Sequence, residues 1–208
     1  NTATLSAAID GVTAKVIGGA GSDLFTVNTV STSTLLELNG SAATDSYVIK
    51  HGTWAGGSVL VNDLGGLGTD AATLYGTIGV DTFNVNSVTA NASLFGAGMP
   101  ETVLYTSSLE QLTISGPAFP GDPTPATPTA TDLGDNFIAT PDAETLITIH
   151  GGNPTNSYGD TLVLNALGLT TPVITPSPAR PNGQLASGNR QTVTWTSIET
   201  LPVPLGLG

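Results

Sequence analysis

Four times in 208 residues an aspartate is followed by large apolar residues at the second and fourth positions after it. The copies are DLFTV (23–27), DSYVI (45–49), DTFNV (81–85) and DTLVL (160–164), with a weaker one at DNFIA (135–139). Side chains of a strand alternate between its two faces, so each unit spells a short strand with one buried face, opened by an acidic turn residue. Asparagine follows the last apolar position in three copies, at Asn28, Asn86 and Asn165. A second unit places glutamate before an alternating run, in SLEQLTI (108–114), AETLITI (143–149) and SIETLPV (197–203).

Helix signals are nearly absent. Twenty-six glycines and 14 prolines punctuate the chain, and Thr, Ser, Val and Asn fill the intervals, a composition that favours strands and turns. Ten strands are expected, in AKVIG, DLFTVN, LLELNG, DSYVIK, SVLVND, DTFNVN, EQLTISG, ETLITIHGG, DTLVLN and QTVTWTSIETL. The fold class is therefore all-β. The aspartates recur unevenly, at 23, 45, 70 and 81, which is too irregular for a propeller or a strict solenoid. An irregular β-solenoid or β-helix and a repeat-derived β-sandwich both fit. GPAFPGDPTPATPTATD (116–132) carries five prolines and no strand pattern, so it reads as an extended connection. The expected organisation is a repeat lobe at 1–115, a Pro-rich linker at 116–129 and a second repeat lobe at 130–208.

Sixteen acidic residues face only four basic ones, for a formal net charge of −12. Such a chain cannot supply the Lys and Arg contacts that phosphates require, which excludes nucleic acid. No apolar run approaches the length of a membrane span. The few basic sites, Lys15, Lys50, Arg180 and Arg190, suit a protein exposed to trypsin-like proteases, and the expected location is extracellular or at a bacterial cell surface.

The sequence offers little to an enzyme. There is no GxSxG elbow, HExxH, Walker A or dinucleotide fingerprint. Asp63, Asp70, Asp81, Glu101 and Glu110 are candidate acids for a β-helical polysaccharide-processing enzyme, but the bases a lyase needs are scattered. His51 and His150 are expected as surface or turn residues. Trp54, in KHGTWAGG, is the best candidate for an exposed sugar-stacking platform.

GGAGSDLF (18–25) fits the GGxGxDx-apolar nonapeptide, and GGLGTDAA (65–72) fits all but its last position. These two stretches resemble RTX-type calcium-binding repeats. GTIGVDTFNVN, TSSLEQLTISG, GDTLVLN and NRQTVTWTSIETL are similar to degenerate β-strand repeats of large exported bacterial proteins of planctomycete type. The resemblance implies calcium at Asp23 with Gly19 and Gly21, and at Asp70 with Gly66 and Gly68. Calcium takes six to eight oxygens, so one aspartate per turn suffices only where turns stack. The nonapeptides are solitary here, and the same residues also suit turns without an ion, with glycine supplying positive φ and aspartate capping its own backbone. The resemblance further implies a non-enzymatic structural protein, a self-associating module of a surface layer, fibre or matrix. Its protomers would join head to tail through terminal strands. The alternative is an adhesin module that binds glycans or surfaces.

Overall fold

The computed structural model describes residues 1–5, 10–51, 54, 56–64, 68–77, 79–86, 91–95 (backbone only), 101–116, 134–152, 159–176, 182–202 and 204–206. Among them no helix forms, and none could cross a membrane. Seventeen strands appear: β1 (Thr2–Leu5), β2 (Thr13–Ala20), β3 (Leu24–Val27), β4 (Leu35–Ala42), β5 (Ser46–Lys50), β6 (Ser58–Val61), β7 (Ala71–Tyr75) and β8 (Thr82–Asn86) in the first part. They continue as β9 (Asn91–Phe95), β10 (Glu101–Tyr105), β11 (Gln111–Ser115), β12 (Asn136–Thr140), β13 (Leu146–His150), β14 (Thr161–Leu164), β15 (Val173–Pro176), β16 (Gly183–Ala186) and β17 (Val193–Thr196). All ten expected strands are among them.

The strands form two sheets, ordered β1-β3-β5-β7-β11-β13-β17-β16-β15 and β14-β12-β8-β9-β10-β6-β4-β2. From β1 to β8 the chain alternates strictly between them. It then runs β9 antiparallel to both β8 and β10 within the second sheet, and resumes alternation from β11 to β14. A second antiparallel excursion, β15 and β16, precedes β17. Every other pairing is parallel.

The register follows the repeat. In the first sheet Phe25, Tyr47, Ala72, Leu112, Ile147 and Val193 are paired in one inward column, and Val27, Ile49, Leu74, Ile114, Ile149 and Trp195 in the next. In the second, Phe83, Phe137 and Leu162 align. The aspartate unit thus recurs at the same height in β3, β5 and β7 and in β8, β12 and β14, because a slip of one residue would turn every apolar side chain outward. Like rings stack along the columns: Phe25 on Tyr47 at 5.2 Å and Phe83 on Phe137 at 5.5 Å, each such pair adding about 1 kcal/mol beyond burial. The outward column between the two inward ones is nearly all threonine (Thr4, Thr26, Val48, Thr73, Thr113, Thr148, Thr194).

Apart from Gly116, the Pro-rich segment 116–129 lies outside the described residues. Strands on its two sides share both sheets, β8 with β12 and β11 with β13, and one apolar cluster runs from Phe25 to Ile198. The two ends of the sheets differ. At one end β1 and β2 are the outermost strands, with Ala3, Leu5, Ala14 and Val16 only partly covered against the core and Ile17 exposed. At the other, the outer edge of β14 is bridged to Thr200 and Leu205, a stretch interrupted by Pro202 and Pro204 that present no N–H.

Candidate metal centre

The repeated aspartates build two hydrogen-bonded ladders. In the first sheet the Asp23 N–H donates to Asp45 Oδ1 at 2.7 Å, the Asp45 N–H to Asp70 Oδ1 at 2.8 Å, and the Asp70 N–H to Glu110 Oε2 at 2.7 Å. The Asn1 nitrogen lies 2.7 Å from Asp23 Oδ1 and extends the series. In the second sheet Asp81 donates to Asp135 Oδ1 at 2.8 Å, Asp135 to Asp160 Oδ1 at 2.6 Å, and Asp160 to Glu199 Oε2 at 2.7 Å. Each aspartate carbonyl in turn accepts the first N–H of the next strand, as Asp23 does from Ser46 and Asp135 from Thr161. Aspartate suits this position because its short carboxylate reaches one strand spacing at the turn.

Glycine completes the arrangement. A Cβ on Gly18, Gly40, Gly76, Gly116 or Gly151 would collide with the carboxylate of Asp23, Asp45, Asp81, Asp135 or Asp160 respectively. These glycines serve close approach rather than positive φ. Gly19 (φ 103) and Gly21 (φ 91) do have the left-handed backbone expected of the turn.

At one point a carboxylate from outside the ladder joins it. Asp63, after β6, brings an oxygen to within 4.8 Å of oxygens of Asp45 and Asp70. All three residues are buried, with Asp45 and Asp63 at 0% exposure. The Tyr47 hydroxyl donates to Asp63 Oδ2 at 2.6 Å and accepts the Gly40 N–H at 2.8 Å. Asp45 Oδ2 is buried and meets no donor among the described residues. Burial, with the Asp63 and Asp23 carboxylates adding to it, pushes the Asp45 carboxyl above its ordinary range. Burial likewise pushes Asp70 up to about 6, helped by Asp63, Glu110 and Asp45. Burial and Asp63 also raise the Tyr47 hydroxyl, which therefore stays a donor.

Two ionised carboxylates at such a separation repel by roughly 3 kcal/mol at an effective dielectric constant near 20. Three together need a proton or a cation. The oxygen-only donor set fits a hard divalent ion, and the donor-free Asp45 Oδ2 is the atom such an ion would satisfy. The buried aspartate cluster can thus hold a metal ion.

The predicted ligands divide. Asp70 belongs to the cluster and Gly68 (φ 128) precedes it in the turn, while Gly66 lies outside the described residues. Asp23 is not in the cluster; its carboxylate faces the Asn1 nitrogen, which holds its pKa below the ordinary value. Between Asp23 and Asp70 stands Asp45, which the sequence presents as a repeat residue but not as a ligand. Asp63 lacks the repeat pattern altogether, and only its acidity marked it.

Two aromatic expectations are corrected. Trp54 is not an exposed platform but is 8% exposed, its ring 5.0 Å from His51. His51 is not a surface histidine: it is buried, with Nδ1 2.9 Å from Glu101 Oε2, while Glu101 Oε1 accepts the Trp54 N–H. Neither His51 Nε2 nor the Trp54 indole N–H meets a partner among the described residues. The second histidine, His150, contacts the Thr196 hydroxyl.

Comparison with known proteins adds no relative: no protein-family model, curated protein or solved structure matches the chain.

Proposed function

We propose that the chain is a non-enzymatic structural module, an irregular β-solenoid that forms part of an extracellular surface layer, fibre or matrix. The observation that carries this reading is the use made of the acids. Of the five candidate catalytic carboxylates, Asp70 and Glu110 accept amides of neighbouring strands, Asp81 accepts the Thr77 N–H of its own turn, and Glu101 anchors His51 and Trp54. Asp63 takes the Tyr47 hydroxyl. A chain that spends its charge on stacking strands is built for extent and rigidity. The burial of Trp54 removes the platform that favoured a glycan-binding adhesin. Calcium is the expected ion for an exported module with only carboxylate donors.

Self-association is part of the same reading. The outer edges of β1 and β2 offer backbone donors and acceptors, and unpaired edges of this kind invite strand addition. Head-to-tail pairing of the β1–β2 end with the opposite end of the next protomer generates open filaments. Sedimentation velocity and negative-stain microscopy of the full chain test it, against Ile17→Lys, which puts a charge on the exposed edge of β2. Filaments that vanish in the variant while its melting temperature holds support the reading. A wild-type chain that stays monomeric at high concentration, or a variant that assembles equally well, overturns it.

A further inference from the structure

We infer that Asp45, Asp63 and Asp70 form one internal divalent-cation site, distinct from the glycine-rich turn at Asp23, which pins the β4–β5 connection to the two ends of the β6–β7 connection. Asp45 stands before β5, Asp63 after β6 and Asp70 before β7. An ion held by all three therefore ties the β4–β5 connection to the β6–β7 connection.

The ladder prepares the carboxylates without consuming them. Asp45 gives Oδ1 to the Asp23 N–H, and Asp70 gives Oδ1 to the Asp45 N–H, so each is locked in orientation by one oxygen. The other oxygen of Asp45 is buried and meets no donor among the described residues. A buried anionic oxygen without a donor is costly, and a cation is the partner that three converging carboxylates select. Asp63 is fixed by Tyr47, whose hydroxyl is itself held by the Gly40 N–H, an outer support that orients a ligand before the ion arrives. The ligand class is a hard divalent ion of calcium type. Carboxylates bound in one- or two-oxygen fashion supply between three and six oxygens, and water supplies the rest. The site excludes soft metals, because it presents no sulfur or imidazole.

This inference rests on the preceding reading only for the choice of calcium, and Asp63 separates the two. Asp63 is not a ladder member, so Asp63→Asn keeps the ladder hydrogen bonds while removing one of the three charges. Calcium binding to the full chain would be followed by titration calorimetry and by thermal melting with calcium or with chelator. The wild type should bind one calcium per chain and melt higher with it. Asp63→Asn should bind at least tenfold more weakly and show no calcium-dependent rise. In chelator the order should invert, with Asp63→Asn melting above the wild type because a like charge is gone. Asp23→Ala should retain the wild-type calcium response.

Calcium binding lost in Asp23→Ala but kept in Asp63→Asn would overturn the internal site and return the ion to the glycine-rich turn, leaving a calcium-stabilised module intact. A wild type that ignores calcium would overturn the site outright, whereas the structural reading would still be decided by the assembly of the Ile17 variant.

Discussion

Removing one rung of the acidic ladder isolates what the ladder contributes, and Asp135 is the position to remove. It is 4% exposed, its Oδ1 accepts the buried Asp81 N–H at 2.8 Å, and it belongs to the ladder of the second sheet, not to the Asp45–Asp63–Asp70 cluster. Asp135→Ala leaves the Asp81 amide without its acceptor. A hydrogen bond to a charged group contributes about 1.5–3 kcal/mol, and an orphaned buried donor carries a desolvation cost of the same order. Relief of charge burial offsets part of this, so the expected loss is about 2–3 kcal/mol. For a chain of this size each kcal/mol lowers the melting temperature by about 2–4 °C, giving a fall of roughly 5–10 °C. Asp135→Asn keeps the oxygen acceptor and the shape, and should cost no more than about 1 kcal/mol. Urea titration followed by circular dichroism, at fixed calcium and constant m-value, measures both. An alanine variant as stable as the wild type would show that the ladder is a by-product of strand pairing. Equal losses in both variants would show that charge, rather than the acceptor, matters.

In chelator, stability should depend on pH through Asp70. Its folded pKa, about 6, exceeds the ordinary 3.8, so between those values the folded chain keeps a proton that the unfolded chain has lost. Stability from this group is therefore full below pH 4 and lost as pH rises through 6. At about 1.4 kcal/mol per pH unit the loss is about 3 kcal/mol, read as the difference between the wild type and Asp70→Asn from pH 4 to 7; a flat difference would refute it. Gly40→Ala, whose Cβ would meet the Asp45 carboxylate, should cost about 1–3 kcal/mol as an overpacked site. Gly79→Ala, with only the Thr77 hydroxyl at 3.6 Å, should stay within about 0.5 kcal/mol, and similar melting curves for the two would contradict the close approach.

The strands and their inward residues were legible because aspartate, turn glycine and period-two apolar alternation all lie within a few residues of one another. What pairs with what was not. The uneven intervals have a simple structural cause: Asp23, Asp45 and Asp70 belong to one sheet, and Asp81 to the other. The step from 70 to 81 is half a circuit, whereas within ladders the intervals are 22, 25 and 40 residues, then 54, 25 and 39. The 40-residue interval contains the β8–β10 excursion, and the 54-residue one contains β9, β10 and the Pro-rich segment. Local patterns reveal a strand but not its neighbour, since parallel pairing joins residues across a whole circuit. Trp54 misled for a related reason: its glycine-rich surroundings look exposed, but the distant Glu101 takes its backbone N–H and the nearby His51 ring lies against it.

The same distinction explains why the candidate metal centre falls where it does. A ladder acid is tolerable because an N–H stands against it, that of the neighbouring ladder residue for most and that of Thr77 for Asp81, so four acids can follow one another in each sheet without crowding. In both ladders the last acceptor is a glutamate, Glu110 and Glu199. Beyond Glu110 the corresponding place before β13 is held by Thr145, whose hydroxyl donates to the Leu109 carbonyl and so adds no charge. Asp63 breaks this economy. It reaches the first ladder from the turn after β6, takes its hydrogen bond from a tyrosine, and places its charge against two carboxylates already fixed by the ladder. No rearrangement of the ladder can separate them, because Asp45 and Asp70 are held by the amides of Asp23 and Asp45. The excess charge must be neutralised where it stands, by a proton or by the cation inferred above. An acid that had no such role would be replaced at little cost by asparagine, which makes Asp63 the residue whose removal distinguishes a binding site from a structural accident.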